Sequence, residues 1–162
     1  MTIAEELANF VASTSFDDLS KETTQALKVR VLDALGCAIG ALSGPPVRLM
    51  HKVEDEFGGA QLCTLIGGGK TAPDRAAFYN GSLIRYLDFN DGFLAEGETC
   101  HPSDNIAPVL AASEFADASG RDFLVALAVA YQVQCRLSEV APGRNKGFDH
   151  GTQGTYAIAA GV

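Results

Sequence analysis

Residues 21–42 read "KETTQALKVRVLDALGCAIGAL", and the way this run folds decides the class of the chain. Leu27, Val31, Ala34, Leu35, Ala38 and Leu42 recur at i, i+3 and i+4, the period of an α-helix. Asp17, Asp18 and Ser20 lie just ahead, and each is a good N-cap because its side-chain oxygen can take a free N–H of the first turn. "SGPP" (43–46) stops the run. Its second half is apolar on every side, which predicts a central helix buried all round. Gly36, Gly40 and Gly44 fall four apart, a small-residue stripe on which another backbone can lie close.

Working outward, one helical period follows another. Ile3, Leu7, Phe10 and Val11 mark a short amphipathic helix upstream. Downstream, residues 47–57, 76–87, 105–116, 123–140 and a run from about 152 keep the same period. Pro108 falls in the first turn of its helix, where a missing N–H costs little. "QLCTLIGGGKTAPD" (61–74) reads as a short extended segment and a turn, and 88–104 and 141–151 read as loops. With no βαβ alternation and no repeat, the expected class is all-α, a multi-helix bundle. The last nine residues, "GTYAIAAGV", form an apolar helical run without a C-cap. Residues 1–162 are therefore expected to be a partial helical domain, truncated at its C-terminus.

Composition narrows the function. Hydrophobic residues make up 47% and charged residues 20%, as in a folded globular domain. A net charge of −8 argues against nucleic acid and against an anionic membrane surface, because both need a basic face. No apolar stretch was long enough to suggest a membrane span. The start, "MTIAEELANF", resembles neither a secretory signal nor an Arg-rich transit peptide, so a cytoplasmic chain is expected. The four cysteines at 37, 63, 100 and 135 include no Cys-x-x-Cys pair. Zinc-ribbon and clustered iron–sulfur spacings are thus absent, and reduced, buried thiols are expected. "GGGKT" (67–71) is not a phosphate loop, since Thr64 stands where that motif needs glycine.

Two loops carry chemistry. In "LDFNDGFLAEGETCHPSDN" (87–105), Asp88 ends an apolar helix, where the negative end of the helix dipole disfavours a carboxylate, a placement that suits proton transfer. A salt bridge to Arg85 is the plainer explanation. His101 is of the residue type that most often transfers protons. Asp91, Glu96 and Glu98 read as solvated loop charges, and Asp88, Asp91 and His101 lack a compact metal-ligand motif. Ser103, Asp104 and Asn105 can cap the following helix, whose amides could receive a substrate carboxylate. In "GRNKGFDHGTQG" (143–154), Arg144 and Lys146 place positive charge ahead of a helix start beside His150, the combination that captures carboxylates. His51 reads as a surface residue.

Four stretches, "LDALGCAIGAL" (32–42), "AAFYNGSLIRYLDFND" (76–91), "HPSDNIAPVLAASE" (101–114) and "GRDFLVALAVAYQVQCRL" (120–137), together resemble the MmgE/PrpD family. That family comprises 2-methylcitrate dehydratases and includes cis-aconitate decarboxylase. "KGFDHGTQGTYAIAAG" (146–161) extends the resemblance over nearly the whole chain. It implies the N-terminal part of a larger homodimeric lyase, with a helical domain and a separate α+β lid. The implied substrate is a small tri- or dicarboxylic acid, with no metal or other cofactor. It maps catalytic roles onto Asp88, His101 and His150. Asp91, Ser103, Asn105, Arg144 and Lys146 are the substrate-binding candidates. Two departures stand out: Gly92 occupies a place where other members have threonine, and "FDHG" replaces an aromatic-His-Pro sequence. Dehydration is the favoured reaction, with decarboxylation or epimerisation of a related acid as the alternative. A non-catalytic helical interaction module is the alternative from another class.

Overall fold

The computed structural model describes residues 1–162 and is built from seven α-helices and two small antiparallel hairpins. Helix α1 (Ile3–Ser13) starts on a capping box in which Thr2 and Glu5 exchange side-chain and backbone bonds. Helix α2 (Lys21–Ala41) is capped by Ser20, whose Oγ accepts from the Thr23 amide at 3.1 Å. Helices α3 (Pro45–Phe57) and α4 (Pro73–Tyr86) both begin on proline, which is pre-set for the first turn. Strands β1 (Cys63–Thr64) and β2 (Lys70–Thr71) flank a turn whose three glycines, Gly67, Gly68 and Gly69, all have positive φ. That conformation makes "GGGKT" a hairpin turn, and Lys70 is ion-paired with Glu114 at 3.2 Å.

Strands β3 (Phe93–Ala95) and β4 (Glu98–Cys100) form a second hairpin inside the segment read as loop. Gly97, at φ +77°, supplies its left-handed turn residue. A short helical turn at Pro102–Asn105 leads into α5 (Ile106–Phe115). Helix α6 (Gly120–Val140) follows, with a capping box between Ser119 and Asp122. A turn at Arg144–Lys146 precedes α7 (Gly151–Gly161).

The core lies where α4 packs against α2, α3 and α5, and where α6 packs against α5 and α7. Ala34, Ala38, Tyr79, Leu83, Ile84, Ile106, Val109 and Leu127 are among its wholly enclosed side chains. By length and composition α6 could cross a membrane. Its Leu124, Leu127, Val129, Ala130 and Val133 are instead buried within the protein. The expectation for α2 needs correction: Leu27, Ala34, Ala38 and Ala41 are buried, but Leu32 is 71% and Ile39 63% exposed. Only one face of this apolar helix meets the rest of the fold. Its glycine stripe divides in the same way. A Cβ at Gly40 would come within 3.0 Å of Leu87, and one at Gly44 within 2.7 Å of the Tyr86 ring, whereas Gly36 faces open space. Close approach at Gly40 and Gly44 thus seats the end of α4, from which the candidate site begins.

Candidate active site

Helix α4 ends in a residue that has to turn left-handed. Asp88 does so at φ +56°, a conformation Asp tolerates better than most side chains. Its side chain is 73% exposed, and Oδ1 lies 2.7 Å from Arg85 Nη1. Arg85 is a branch point. The same Nη1 donates to Asn90 Oδ1 at 3.2 Å, and Nε lies 3.9 Å from Asp104 Oδ1. Asn90 in turn donates to Ser103 Oγ at 2.7 Å. Asp88 thus makes the salt bridge to Arg85 that its sequence position allowed, and no hydrogen bond joins it to His101.

Orientation of His101 comes from elsewhere. Its Nδ1 is 2.7 Å from the main-chain oxygen of Asp91. A carbonyl can only accept, so Nδ1 carries the proton and the neutral ring keeps its lone pair on Nε2. The Asp91 side chain completes the arrangement: Oδ1 accepts from the Ser103 amide at 3.0 Å and Oδ2 from the Tyr131 hydroxyl at 3.0 Å. Burial, and then the adjacent Asp91 charge, push the Tyr131 phenol upward, so it remains a donor. Asp91 is thus a structural anchor for the loop and not a solvated charge. With its carboxylate so committed, Asp88, Asp91 and His101 do not gather as three metal ligands.

His150 reaches the same place from the start of α7. Its ring stands edge-on to His101, with centroids 5.6 Å apart at 71°. His150 Nε2 is 4.0 Å from Asp104 Oδ2, while Nδ1 is buried and lies 2.7 Å from Asp149 Oδ1, off the line of a hydrogen bond. Asp104 thus sits between Arg85 and His150. Burial pushes its carboxyl up, and the charges of Arg85, His101 and His150 oppose that rise without cancelling it. Sequence reading saw Asp104 only as a helix cap. Its partners lie 19 and 46 residues away, so no local spacing could reveal them.

The substrate-binding candidates separate. Ser103 and Asn105 are both buried. Ser103 is bonded to Asn90 and Asp91, and the Asn105 amide donates to the Pro102 carbonyl and to Gln134. Asn105 occupies the N-cap of α5 but makes no side-chain capping bond. Arg144 is exposed, with Nε 3.5 Å from Glu98 Oε1, and Lys146 is exposed without an ion pair. Glu98 is itself buried, and its Oε2 accepts from the amides of Gly143 at 2.9 Å and Arg144 at 3.1 Å. Burial pushes that carboxyl up, but these amides, that of Thr99 and the Arg144 charge together hold its pKa below the ordinary value. Glu98, like Asp91, pins a loop.

A cavity of about 540 Å³ opens beside the cluster, with Arg85, Asp104, Ser82 and Tyr86 in its wall. A larger one, about 800 Å³, lies between α1, α2, α6 and β3 and is lined by Arg30, Phe93, Tyr131 and Cys135. Arg85 and Asp104, the two members of the titratable cluster that stand in the wall of the smaller cavity, mark it more than size does as the candidate site. Two histidines, a carboxyl pushed upward and an arginine, converging from α4, the 101–105 turn and the start of α7, can exchange protons beside an anion.

The MmgE/PrpD N-terminal domain model matches residues 5–162. The chain belongs to the MmgE/PrpD family. Among its relatives, 2-methylcitrate dehydratase of Escherichia coli is 32% identical over 138 residues, covering 74% of this chain and 27% of the relative. The mitochondrial 2-methylcitrate dehydratase of Yarrowia lipolytica is 26% identical, covering 91% of this chain and 30% of the relative. A cis-aconitate decarboxylase-like protein, oryM, of Aspergillus oryzae is 28% identical, covering 87% and 31%. The chain therefore spans under a third of the length of these MmgE/PrpD relatives, and its mainly helical fold is that of the family's N-terminal domain.

Proposed function

We propose that this chain contributes the histidine-bearing part of the active site of a lyase that removes water from a small tricarboxylic acid of the 2-methylcitrate type. The observation that carries the reading is the meeting of His101, His150, Asp104 and Arg85 in a chain whose relatives include 2-methylcitrate dehydratases. His101, its Nδ1 proton held by the Asp91 carbonyl, offers Nε2 to take a proton from the carbon beside a substrate carboxylate. Asp88 is the partner acid–base group that gives a proton to the departing hydroxyl, with His150 adjoining. Arg144 and Lys146 hold carboxylates and steady the negative charge that builds on the substrate. The reaction needs no cofactor in this reading, and the working form is a cytoplasmic homodimer.

The relative described as cis-aconitate decarboxylase-like supports a second reading, in which the same groups protonate carbon after loss of CO2. The product of the complete reading frame, mixed with 2-methylcitrate, citrate and cis-aconitate, separates them by ultraviolet absorbance and CO2 release. Dehydration of 2-methylcitrate is expected. CO2 from cis-aconitate favours the second reading, and no turnover of any acid favours a non-catalytic helical module. His101→Ala should lower the rate by at least ~100-fold; a loss below about tenfold rejects His101 as the proton carrier.

A further inference from the structure

The carboxylates near the candidate site are not equally served. Asp88, Asp91, Glu98 and Asp149 each accept at least one hydrogen bond. Asp104 accepts none, although its side chain is only 32% exposed. Arg85 Nε and His150 Nε2 approach its two oxygens but stop at 3.9 and 4.0 Å, beyond bonding distance. Burial accordingly pushes this carboxyl up. A half-buried acceptor without donors is costly, and one that stands in a cavity wall can gain a donor from a ligand. Asp104 is the only carboxyl in the wall of the 540 Å³ cavity, and Arg85 is the only cation there. Ser82, beside them, already donates its hydroxyl to the Phe78 carbonyl at 2.8 Å. Arg85 bonds Asp88 and Asn90 through Nη1 and leaves Nη2 without a bond, so it can still take a carboxylate.

We propose that Asp104 is the specificity-determining residue for the substrate's hydroxyl: it accepts the O–H while Arg85 holds the carboxylate on the same carbon. An ionised carboxyl can only accept. Asp104 therefore repels a substrate carboxylate and takes a group that has a hydrogen to give. The 3.9 Å between Arg85 Nε and Asp104 Oδ1 sets a donor and an acceptor near enough for two groups on one carbon to meet both. The site then selects a 2-hydroxy acid over the same acid without its hydroxyl. Held by its hydrogen, the hydroxyl oxygen keeps its lone pairs for the proton it takes on leaving. The inference rests on the lyase reading of this cavity and adds the residue that recognises the leaving group.

The test uses the product of the complete reading frame and two probes, citrate and tricarballylate, which is citrate without its hydroxyl. In calorimetric titrations the wild type should bind citrate at least ~10-fold more tightly, the change that one hydrogen bond to a charged group gives. Asp104→Ala should bring that ratio below about twofold. Its affinity for tricarballylate should not fall, because the carboxylate that repels this acid is gone. Asp104→Asn keeps the shape of the side chain, which guards against loss of the fold, and should give an intermediate ratio with tricarballylate still bound. The proposal is overturned by a wild type that binds neither acid or both equally, or by the full wild-type ratio in either variant. Turnover of 2-methylcitrate reads the lyase assignment separately. Without turnover, a citrate preference that falls in Asp104→Asn still upholds the hydroxyl subsite; with turnover, a preference that neither substitution moves still removes Asp104 from it.

Discussion

Asp88 and Asp91 stand three residues apart in one loop, and the fold treats them in opposite ways. Asp88 points outward to a salt bridge with the arginine one turn back. Asp91 turns inward, taking the Tyr131 hydroxyl and the Ser103 amide on its carboxylate and the His101 ring on its carbonyl. A local partner left the first free for solvent and chemistry. Distant partners made the second a fastening. The difference teaches that a carboxylate's role follows from who can reach it, and a partner 40 residues away in sequence cannot be read from spacing.

Substitutions can break this contrast, and the largest effect is expected at the inner carboxylate. Asp91→Ala leaves Tyr131 and the Ser103 amide without their acceptor and should lower unfolding stability by about 3 kcal/mol in urea titrations. A loss below about 1 kcal/mol would show that the loop is anchored by something else. Glu98 extends the comparison to the neighbouring loop, where Glu98→Gln should cost about 2 kcal/mol near neutral pH. Its folded pKa lies below the ordinary 4.5, so the ionised form favours the fold. That contribution is whole above about pH 4.5 and fades as pH falls through the lowered folded value. The gap between wild type and Glu98→Gln should accordingly stay constant above about pH 4.5 and narrow as the pH falls below it, and a gap that stays constant on acidification would contradict this account.

Tyr131→Phe removes one donor to Asp91 and should cost about 1.5 kcal/mol. Combined with Asp91→Ala it should add little, because the two share one bond; full additivity in a double-mutant cycle would uncouple them. Smallest of all is the outer carboxylate. Asp88→Gly relieves a left-handed residue and gives up an exposed ion pair worth little. A gain of about 0.5 kcal/mol is expected, readable as a rise in midpoint temperature, and a clear loss would mean that the Arg85 pair matters more than its exposure suggests.

Much of the architecture was legible beforehand. The helical runs at 21–42, 76–87 and 123–140 showed because the 3.6-residue period is carried by many side chains at once, and Ser20 marked a start that the structure bears out. The 93–100 hairpin was missed, since strands of three residues leave too short an alternation to see. The sidedness of α2 was misjudged because apolarity records what could be buried, not what is there to bury it. In the site, the histidine-bearing segments stood out by residue type. The branching of Arg85, the placement of Asp104 between Arg85 and His150, and the enclosure of Ser103 and Asn105 did not.

By itself the amino-acid order determined the helices, their caps, the left-handed turns at glycine and the family, because each depends on neighbours within a few positions or on a pattern held along the chain. Only the tertiary structure decided which carboxylate fastens and which faces water, which nitrogen of His101 keeps its lone pair, and that His150 meets it. Those outcomes rest on contacts between segments tens of residues apart, where hydrogen-bond direction and burial act over a few ångströms and sequence distance counts for nothing.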